Sequence, residues 1–165
     1  WGDRRFHVEA VDAVRWGSTR HSINGIPTGT THVVSFGGRE GVVEFTTRSA
    51  EVYREFTDRL WRLCGIKILL KTLERLRNGE TLHVGSIEFT DVNVVLSKSK
   101  IFARPEVRSY SWGDVLIWSE GGEFCICASN DRSFQARASY QSHANVHVIA
   151  NLLGVSFKRG IVNRI

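Results

Sequence analysis

Two histidines four residues apart are the first feature of the sequence that could do chemistry. His143 and His147 lie in SYQSHANVHVIANLLG (139–154), and this spacing places two imidazoles on one side of a helix. A zinc site needs at least a third ligand, which nothing nearby in the sequence supplies. A helical wheel places both histidines opposite or at the edge of an apolar side, which comprises Val146, Ile149, Ala150, Leu152 and Leu153. We therefore expect a solvated helix face and no metal.

A second pair of reactive side chains is Cys125 and Cys127 in the run FCICA. Residues two apart on a strand point to one face, so the two thiols could bind a soft metal, but no partner pair accompanies them. A disulfide between such neighbours has poor geometry. We expect both to be buried apolar side chains. With Cys64 the count is three, which favours a reducing compartment over a disulfide framework.

Motifs of the common enzyme classes are missing from the sequence. We find no nucleophile with a local base, no paired carboxylates on one face and no glycine-rich turn from a strand into a helix. The run GGREG (37–41) lies between two strand-like runs, so it cannot open a helix as a phosphate loop does. A site assembled from distant residues stays open. We expect no catalytic residue, no cofactor and no enzymatic activity.

Basic residues are concentrated in KSKIFARPEVR (98–108). Its cations could contact phosphates of an anionic lipid or of a nucleic acid backbone, and the net charge of +5 is compatible with either. The alternative is a solvated strand edge, where lysine discourages edge pairing. The candidate anion or lipid contacts are Lys98, Lys100, Arg104 and Arg108. A second basic group near the chain ends comprises Arg4, Arg5, Lys158, Arg159 and Arg164.

The first half of the chain reads as strands followed by a long helix. The alternating run RRFHVEAVDAVRW (4–16) predicts a strand, and HVVSFGGREGVVEF (32–45) predicts a hairpin around its glycines. Four or five strands are expected before Ser49, which is a plausible N-cap. Apolar residues then recur at helical spacing to residue 78, with Gly65 interrupting them. We expect one long helix kinked near Gly65, or two helices in succession.

The second half predicts seven short strands and a closing helix. The candidate strands are 81–89, 91–97, 100–104, 107–112, 114–119, 122–129 and 132–140, separated by turn-forming residues. Short strands at this spacing are typical of a meander that closes into a barrel or sandwich. Trp112 and Trp118 could form a binding platform, but large aromatics at such a corner more often fill the core. The helix is expected to plug the barrel with Val146, Ile149 and Leu153.

This layout resembles the pleckstrin-homology-like (PH-like) barrel of bacterial type. The resemblance covers about residues 80–154 and rests on SWGDV leading into a strand, the hairpin EGGEF, the last strand SFQARASY and the helix NVHVIANLL. It implies an α+β fold of antiparallel PH-like barrel or sandwich modules, each closed by a C-terminal amphipathic helix. We predict a partial PH-like module at 1–79 and a PH-like barrel with its closing helix at 80–165.

The resemblance implies an interaction module and does not imply any particular ligand or reaction. Phosphoinositide-binding members carry basic residues between their first two strands, whereas the corresponding stretch, 89–92, reads FTDV. We expect a non-enzymatic scaffold that binds a protein partner or acts close to a membrane. The alternative is a basic module that binds anionic lipid or, less favoured, nucleic-acid phosphates. Homodimerisation could complete the first module, and we expect a cytoplasmic protein that a segment upstream of Trp1 could hold at a membrane.

Overall fold

The computed structural model describes residues 7–98, 104–158 and 164–165, and it contains two antiparallel sheets. The first sheet has the order β1-β2-β3. Its strands are β1 (Ala13–Ile23), β2 (Ile26–Gly38) and β3 (Gly41–Thr47). The helices are α1 (Ala50–Leu60), α2 (Ile66–Arg77) and α3 (Val146–Lys158). In the described part of the chain, no helix combines the length and apolar character needed to cross a bilayer.

The first sheet is a meander of two tight hairpins. Asn24 and Gly25 both have positive φ (51° and 81°), as a type I′ turn requires. The predicted hairpin over 32–45 is confirmed as β2–β3. The predicted strand over 4–16 is wrong in its described N-terminal part, since residues 8–10 form a 3-10 turn and β1 begins at Ala13. Three described strands, not four or five, precede Ser49.

The long helix is continuous but changes its winding at its centre. The Ser49 hydroxyl accepts a hydrogen bond from the Val52 amide (3.3 Å), which confirms the predicted N-cap. A π-helical turn over Trp61–Gly65 joins α1 to α2. A Cβ at Gly65 would lie 2.4 Å from the Trp61 ring, so glycine lets the indole lie against the backbone. The predicted interruption near Gly65 is therefore a π turn, and its extra residue rotates the apolar side of the helix.

The second sheet consists of a four-stranded meander followed by a three-stranded one. The strands are β4 (Leu82–Val84), β5 (Ile87–Phe89), β6 (Asn93–Lys98), β7 (Glu106–Ser111), β8 (Val115–Glu120), β9 (Glu123–Ala128) and β10 (Gln135–Ser139). The order is β4-β5-β6-β10-β9-β8, with β7 also paired to β6. The predicted run 81–89 is a hairpin of two strands. Of the predicted run 100–104, residues 100–103 lie outside the described part, and Arg104 is not in a strand.

The α+β class, the antiparallel sheets and the C-terminal helix are confirmed, but the closed barrel is wrong. Among the described residues, β7 and β8 do not pair with each other, and the sheet stays open. A 3-10 turn at Trp112–Asp114 separates these two strands, so they cannot continue as a hairpin ladder. The space between the two meanders is filled by side chains of both and of α3.

Helix α3 covers the core of the second sheet, as predicted. Val146, Ile149 and Leu153 are buried in one cluster with side chains from both meanders. Trp112 is fully buried in the same cluster, and its indole N–H donates to the Thr90 carbonyl (3.2 Å). Trp112 therefore fills the core rather than forming a binding platform.

The segment before α3 holds the first sheet against the second. The Asn145 amide donates to the Val14 carbonyl (2.7 Å), and the Asn145 side-chain oxygen accepts from the Val14 amide (3.0 Å). The Asn145 side-chain nitrogen donates to the Asp12 carbonyl (2.9 Å). Val148 then packs into the buried cluster of the first sheet and the long helix. This contact joins the two sheets, and the predicted division into modules at residue 79 stays a prediction.

Replacing Asn145 tests how much this junction stabilises the protein. Asn145→Ala removes both side-chain bonds, leaves the buried Val14 amide without its partner and puts alanine, which adopts a positive φ less readily than asparagine does, at φ 63°. We expect a loss of about 2–4 kcal/mol in the free energy of unfolding, measured by urea denaturation. Asn145→Gly keeps the backbone conformation accessible and should cost about 1 kcal/mol less. Equal stability of wild type and Asn145→Ala would contradict the role assigned to the side chain.

Candidate functional site

Two of the four predicted anion contacts meet above one aromatic ring. Lys98 Nζ lies 5.6 Å, and the Arg108 guanidinium carbon 4.4 Å, from the centre of the Phe134 ring. Lys98 and Arg108 lie on the same face of β6–β7 as the buried Leu96. The aliphatic parts of their side chains therefore extend the hydrophobic core at this end of the sheet. Arg104 is exposed, and Lys100 lies outside the described residues.

Carboxylates balance much of this basic charge. Arg108 donates through Nε to Glu106 Oε1 (3.0 Å), and this bond raises the pKa of the guanidinium. The Asp131 carboxylate accepts from the Ser133 amide (3.0 Å) and hydroxyl (2.5 Å), which lowers the pKa of Asp131, and Lys98 and Arg108 lower it further. The Phe134 cluster is thus a mixed-charge surface rather than a purely cationic one.

The second basic group does not join this cluster in the described part of the chain. Arg164 Nε donates to the mostly buried Asp91 carboxylate (2.6 Å), so this cation is already paired. Lys158 is the last residue of α3. Arg4, Arg5 and Arg159 lie outside the described residues.

A polar groove lies beside Lys98, at the seam where β5 and β10 both border β6. Its volume is about 570 Å³, and its described lining holds no carboxylate: Ser86, Ser97, Lys98, Ser133, Gln135, Ala136 and Arg137. The Ser86 hydroxyl bridges the seam by donating to the Arg137 carbonyl (2.8 Å) and accepting from the Arg137 amide (3.0 Å). The Arg137 guanidinium also approaches Glu123 (3.4 Å). The two cations and the Ser97 hydroxyl could hold a phosphate here, whereas the Ser86 and Ser133 hydroxyls already donate to the Arg137 carbonyl and to Asp131.

A groove of about 430 Å³ with several apolar side chains extends from β8 across β9 to β10. Within the described residues β8 pairs only with β9, so one side of its backbone is free. Leu116 lies across from Cys127 on the outer face of the sheet, and Leu116 is 44% exposed. Ile117, from the inner face, also lines the groove, as do Trp118, Arg132 and Gln135. The groove therefore wraps around the edge of the strand.

Among the residues that the structure describes, Arg132 is the only charged one that lines the β8 groove. It is exposed, and no ion pair joins it to a carboxylate in the part of the chain that the structure describes. Sequence reasoning missed both Arg132 and Leu116. The available signal was the run Leu116, Ile117 and Trp118, which is apolar on both faces of a strand.

The cysteines are buried, as predicted. Cys125 and Cys127 point to the outer face of β9, away from Phe124 and Ile126, yet neighbouring side chains cover both thiols. Burial raises the pKa of each thiol, and it also raises the pKa of Cys64. All three cysteines are free, and protonated buried thiols are poor nucleophiles and poor metal ligands.

The two histidines occupy different environments, so the prediction of a shared solvated face is wrong for His147. His143 is exposed, and its Nδ1 accepts from the Ser139 amide (3.0 Å). The His147 ring stacks on Trp16 with 4.0 Å between centroids and lies 4.4 Å from Tyr140. Its Nε2 donates to the Trp16 carbonyl (2.8 Å). The first sheet covers this side of α3, which a helical wheel cannot show.

No group of three or more His, Cys, Asp or Glu side chains is arranged to hold a metal ion in the described ranges. No protein-family model, curated protein or solved structure matches the chain. The PH-like resemblance therefore stays a prediction. The β8 groove and the serine-lined groove are the two surfaces whose geometry and chemistry suit a ligand.

The environment of His147 predicts a pH-dependent stability. Burial lowers the pKa of His147 below 6.5, and the hydrogen bond to Trp16 offsets this only in part. Because the unfolded chain takes up the proton first, the stability is fully present above about pH 6.5 and is lost as the pH falls through the folded pKa. The free energy of unfolding, measured in urea from pH 7.5 to 5.5, should fall by up to about 1.4 kcal/mol per pH unit from this group.

An exposed histidine supplies the control. His147→Gln should flatten the dependence of unfolding free energy on pH, whereas His7→Gln should leave it as in wild type. A wild-type slope in His147→Gln would show that other groups govern the acid response.

Proposed function

We propose that this protein is a non-enzymatic interaction module that binds an extended, acidic segment of a protein partner along β8. The observation that carries the proposal is that a groove with apolar side chains and one exposed arginine starts at β8, a strand whose outer edge is unpaired among the described residues. Free edges accept a further strand through backbone hydrogen bonds, and side-chain pockets next to the edge supply specificity.

The groove suits a strand better than a helix or a compact ligand. Alternate residues of an added strand point to opposite faces, and β8 offers apolar contacts on both. Leu116 and Trp118 would meet one set of partner side chains, and Ile117 would meet the other. Arg132 favours a carboxylate in the partner, as does the net charge of +5.

A PH-like arrangement of the second half belongs to the same proposal. Four antiparallel strands, three further antiparallel strands and a terminal helix that covers the core are the order that the resemblance implies. Folds of this kind host lipid, peptide and scaffolding roles, so the fold alone does not choose among them. The β8 edge favours the peptide role, close to a membrane or away from it.

Peptide selection tests this proposal directly. A phage library of random peptides about 12 residues long, long enough to span a six-residue strand, is selected against the full chain. We expect selected peptides to alternate apolar residues and to carry Asp or Glu. Leu116→Asp and Arg132→Glu should each weaken their binding about tenfold in fluorescence anisotropy, through loss of apolar contact and charge reversal.

Val107→Asp is the matched control, because Val107 is an exposed apolar residue on another edge strand of the same sheet, β7. It should leave peptide affinity unchanged. A selection that yields no peptides, or peptides that Val107→Asp weakens and Leu116→Asp does not, would refute binding at β8.

The second candidate function is binding of phosphate groups in the groove next to Lys98. The supporting observation is a lining of two cations and three serine hydroxyls without a carboxylate in its described part. The Glu123 carboxylate competes with a phosphate for Arg137, and the charge of Lys98 also interacts with the Asp131 carboxylate. These carboxylates weaken the site, so it ranks second to the β8 edge.

Two substitutions with opposite expected effects test this site. In titrations with inorganic phosphate followed by NMR at low salt, Lys98→Gln should weaken binding about fivefold because one cation is lost. Glu123→Gln should strengthen binding about twofold because it frees Arg137. Arg59→Gln removes an equal charge from α1 and should have no effect. Equal weakening of binding by Lys98→Gln and Arg59→Gln would indicate non-specific attraction to a basic protein.

A further inference from the structure

The first hairpin extends beyond the sheet that carries it. Strand β3 pairs with β2 only over residues 32–38, whereas β1 and β2 continue to pair to their turn. We call residues 19–31 the arm. Its strands run about 16 Å past the third strand, at about 3.3 Å per residue. Residues 18–29 are all exposed, and the type I′ turn gives the tip a defined conformation.

The tip of the arm is apolar. Ile23 and Ile26 pair directly across the turn and are 66% and 68% exposed, the two highest values among the large apolar side chains of the described chain. The rest of the arm consists of threonine, serine, asparagine, glycine and proline, together with Arg20 and His21. The apolar surface is therefore confined to the two isoleucines.

The arm also lacks negative charge. No Asp or Glu occurs between Asp12 and Glu40, a stretch that includes both strands of the arm and its turn. Arg20 is exposed and forms no ion pair within the described residues. An anionic bilayer attracts this arrangement. The apolar tip can enter the hydrocarbon boundary, while the cation behind it meets the negatively charged headgroups and no carboxylate repels them.

We infer that the arm is a membrane-contacting element that inserts Ile23 and Ile26 into the headgroup region of an anionic bilayer, with Arg20 on the lipid phosphates. Two side chains are too small an apolar area for a stable protein interface, which buries about 1,200 Å² or more in total. Two apolar side chains are enough for shallow insertion into a bilayer when electrostatic attraction to anionic lipids adds to the binding. This inference is independent of the peptide site proposed for β8.

Vesicle co-sedimentation tests the inference with the full chain. The vesicles contain phosphatidylcholine alone or with about 30 mol % phosphatidylserine, a composition that gives a strongly negative surface. We expect binding to the anionic vesicles only. Ile23→Ser with Ile26→Ser should reduce the bound fraction about fivefold, because two apolar anchors are lost. Arg20→Gln should reduce it about twofold and weaken its dependence on salt.

Exposed apolar residues elsewhere give the matched control. Val42→Ser with Val107→Ser removes two exposed side chains from β3 and β7 and should leave vesicle binding unchanged. Unchanged melting temperatures of both double variants would show that the fold is intact. Leu116→Asp, which tests the β8 edge, should not alter vesicle binding.

Three results would overturn the inference. The wild type could fail to bind anionic vesicles, or the Ile23→Ser, Ile26→Ser variant could bind them as the wild type does. Light scattering could instead show a wild-type dimer that this tip variant dissociates, which would make the arm a contact between two copies of the chain.

Discussion

The architecture depends on one short contact, in which Asn145 and His147 bind the first strand of the first sheet. Asn145 hydrogen-bonds to both backbone groups of Val14 and to the Asp12 carbonyl, so it acts as a short added strand on the edge of β1. His147 continues the contact two residues later through the Trp16 carbonyl and ring. Asn145 immediately precedes α3, whose apolar side covers the second sheet. The segment from Asn145 to His147 therefore hydrogen-bonds to the outer edge of β1 and also positions the helix that covers the core of the second sheet.

Local periodicity was sufficient to predict β6 to β10 and the buried side of α3, but it gave the β4–β5 hairpin as one strand. Val146, Ile149 and Leu153 follow from helical spacing alone, because the helix has one broad apolar side. Hairpin positions were predictable where glycine and asparagine mark a turn, as at 24–25 and 37–41. These features depend on residues close together in the chain.

The failures all involve information that is not local. His147 was assigned to solvent because a wheel shows one helix and not the sheet that packs on its other side. Leu63, Ile66 and Leu70 fit an apolar helix face, yet they are exposed because the π turn rotates α2 relative to α1. Closure of a barrel depends on which strands pair, and short strands in sequence do not specify this.

The candidate sites show the same division. Lys98 and Arg108 were predictable neighbours because they lie on adjoining strands of one hairpin. Arg132 meets Leu116 only through the register of β8, β9 and β10, which brings residues 16 positions apart to one groove. A sequence pattern can show that a strand carries apolar residues on both faces. It cannot show which strand lies at an edge of the sheet with one side of its backbone unpaired.

The junction also determines how the arm is presented. Gly17, at the base of the arm, lies so close to Gln141 that a Cβ would approach the Gln141 Cβ to 2.9 Å, and Thr19 contacts the same residue (3.3 Å). The turn between β8 and β9 borders the same polar cleft as residues 17–20. Because the stem of the arm is fixed to the segment that precedes α3, the arm cannot reorient without disturbing that junction. A surface that binds Ile23 and Ile26 would therefore orient the second sheet, and the free edge of β8 with it.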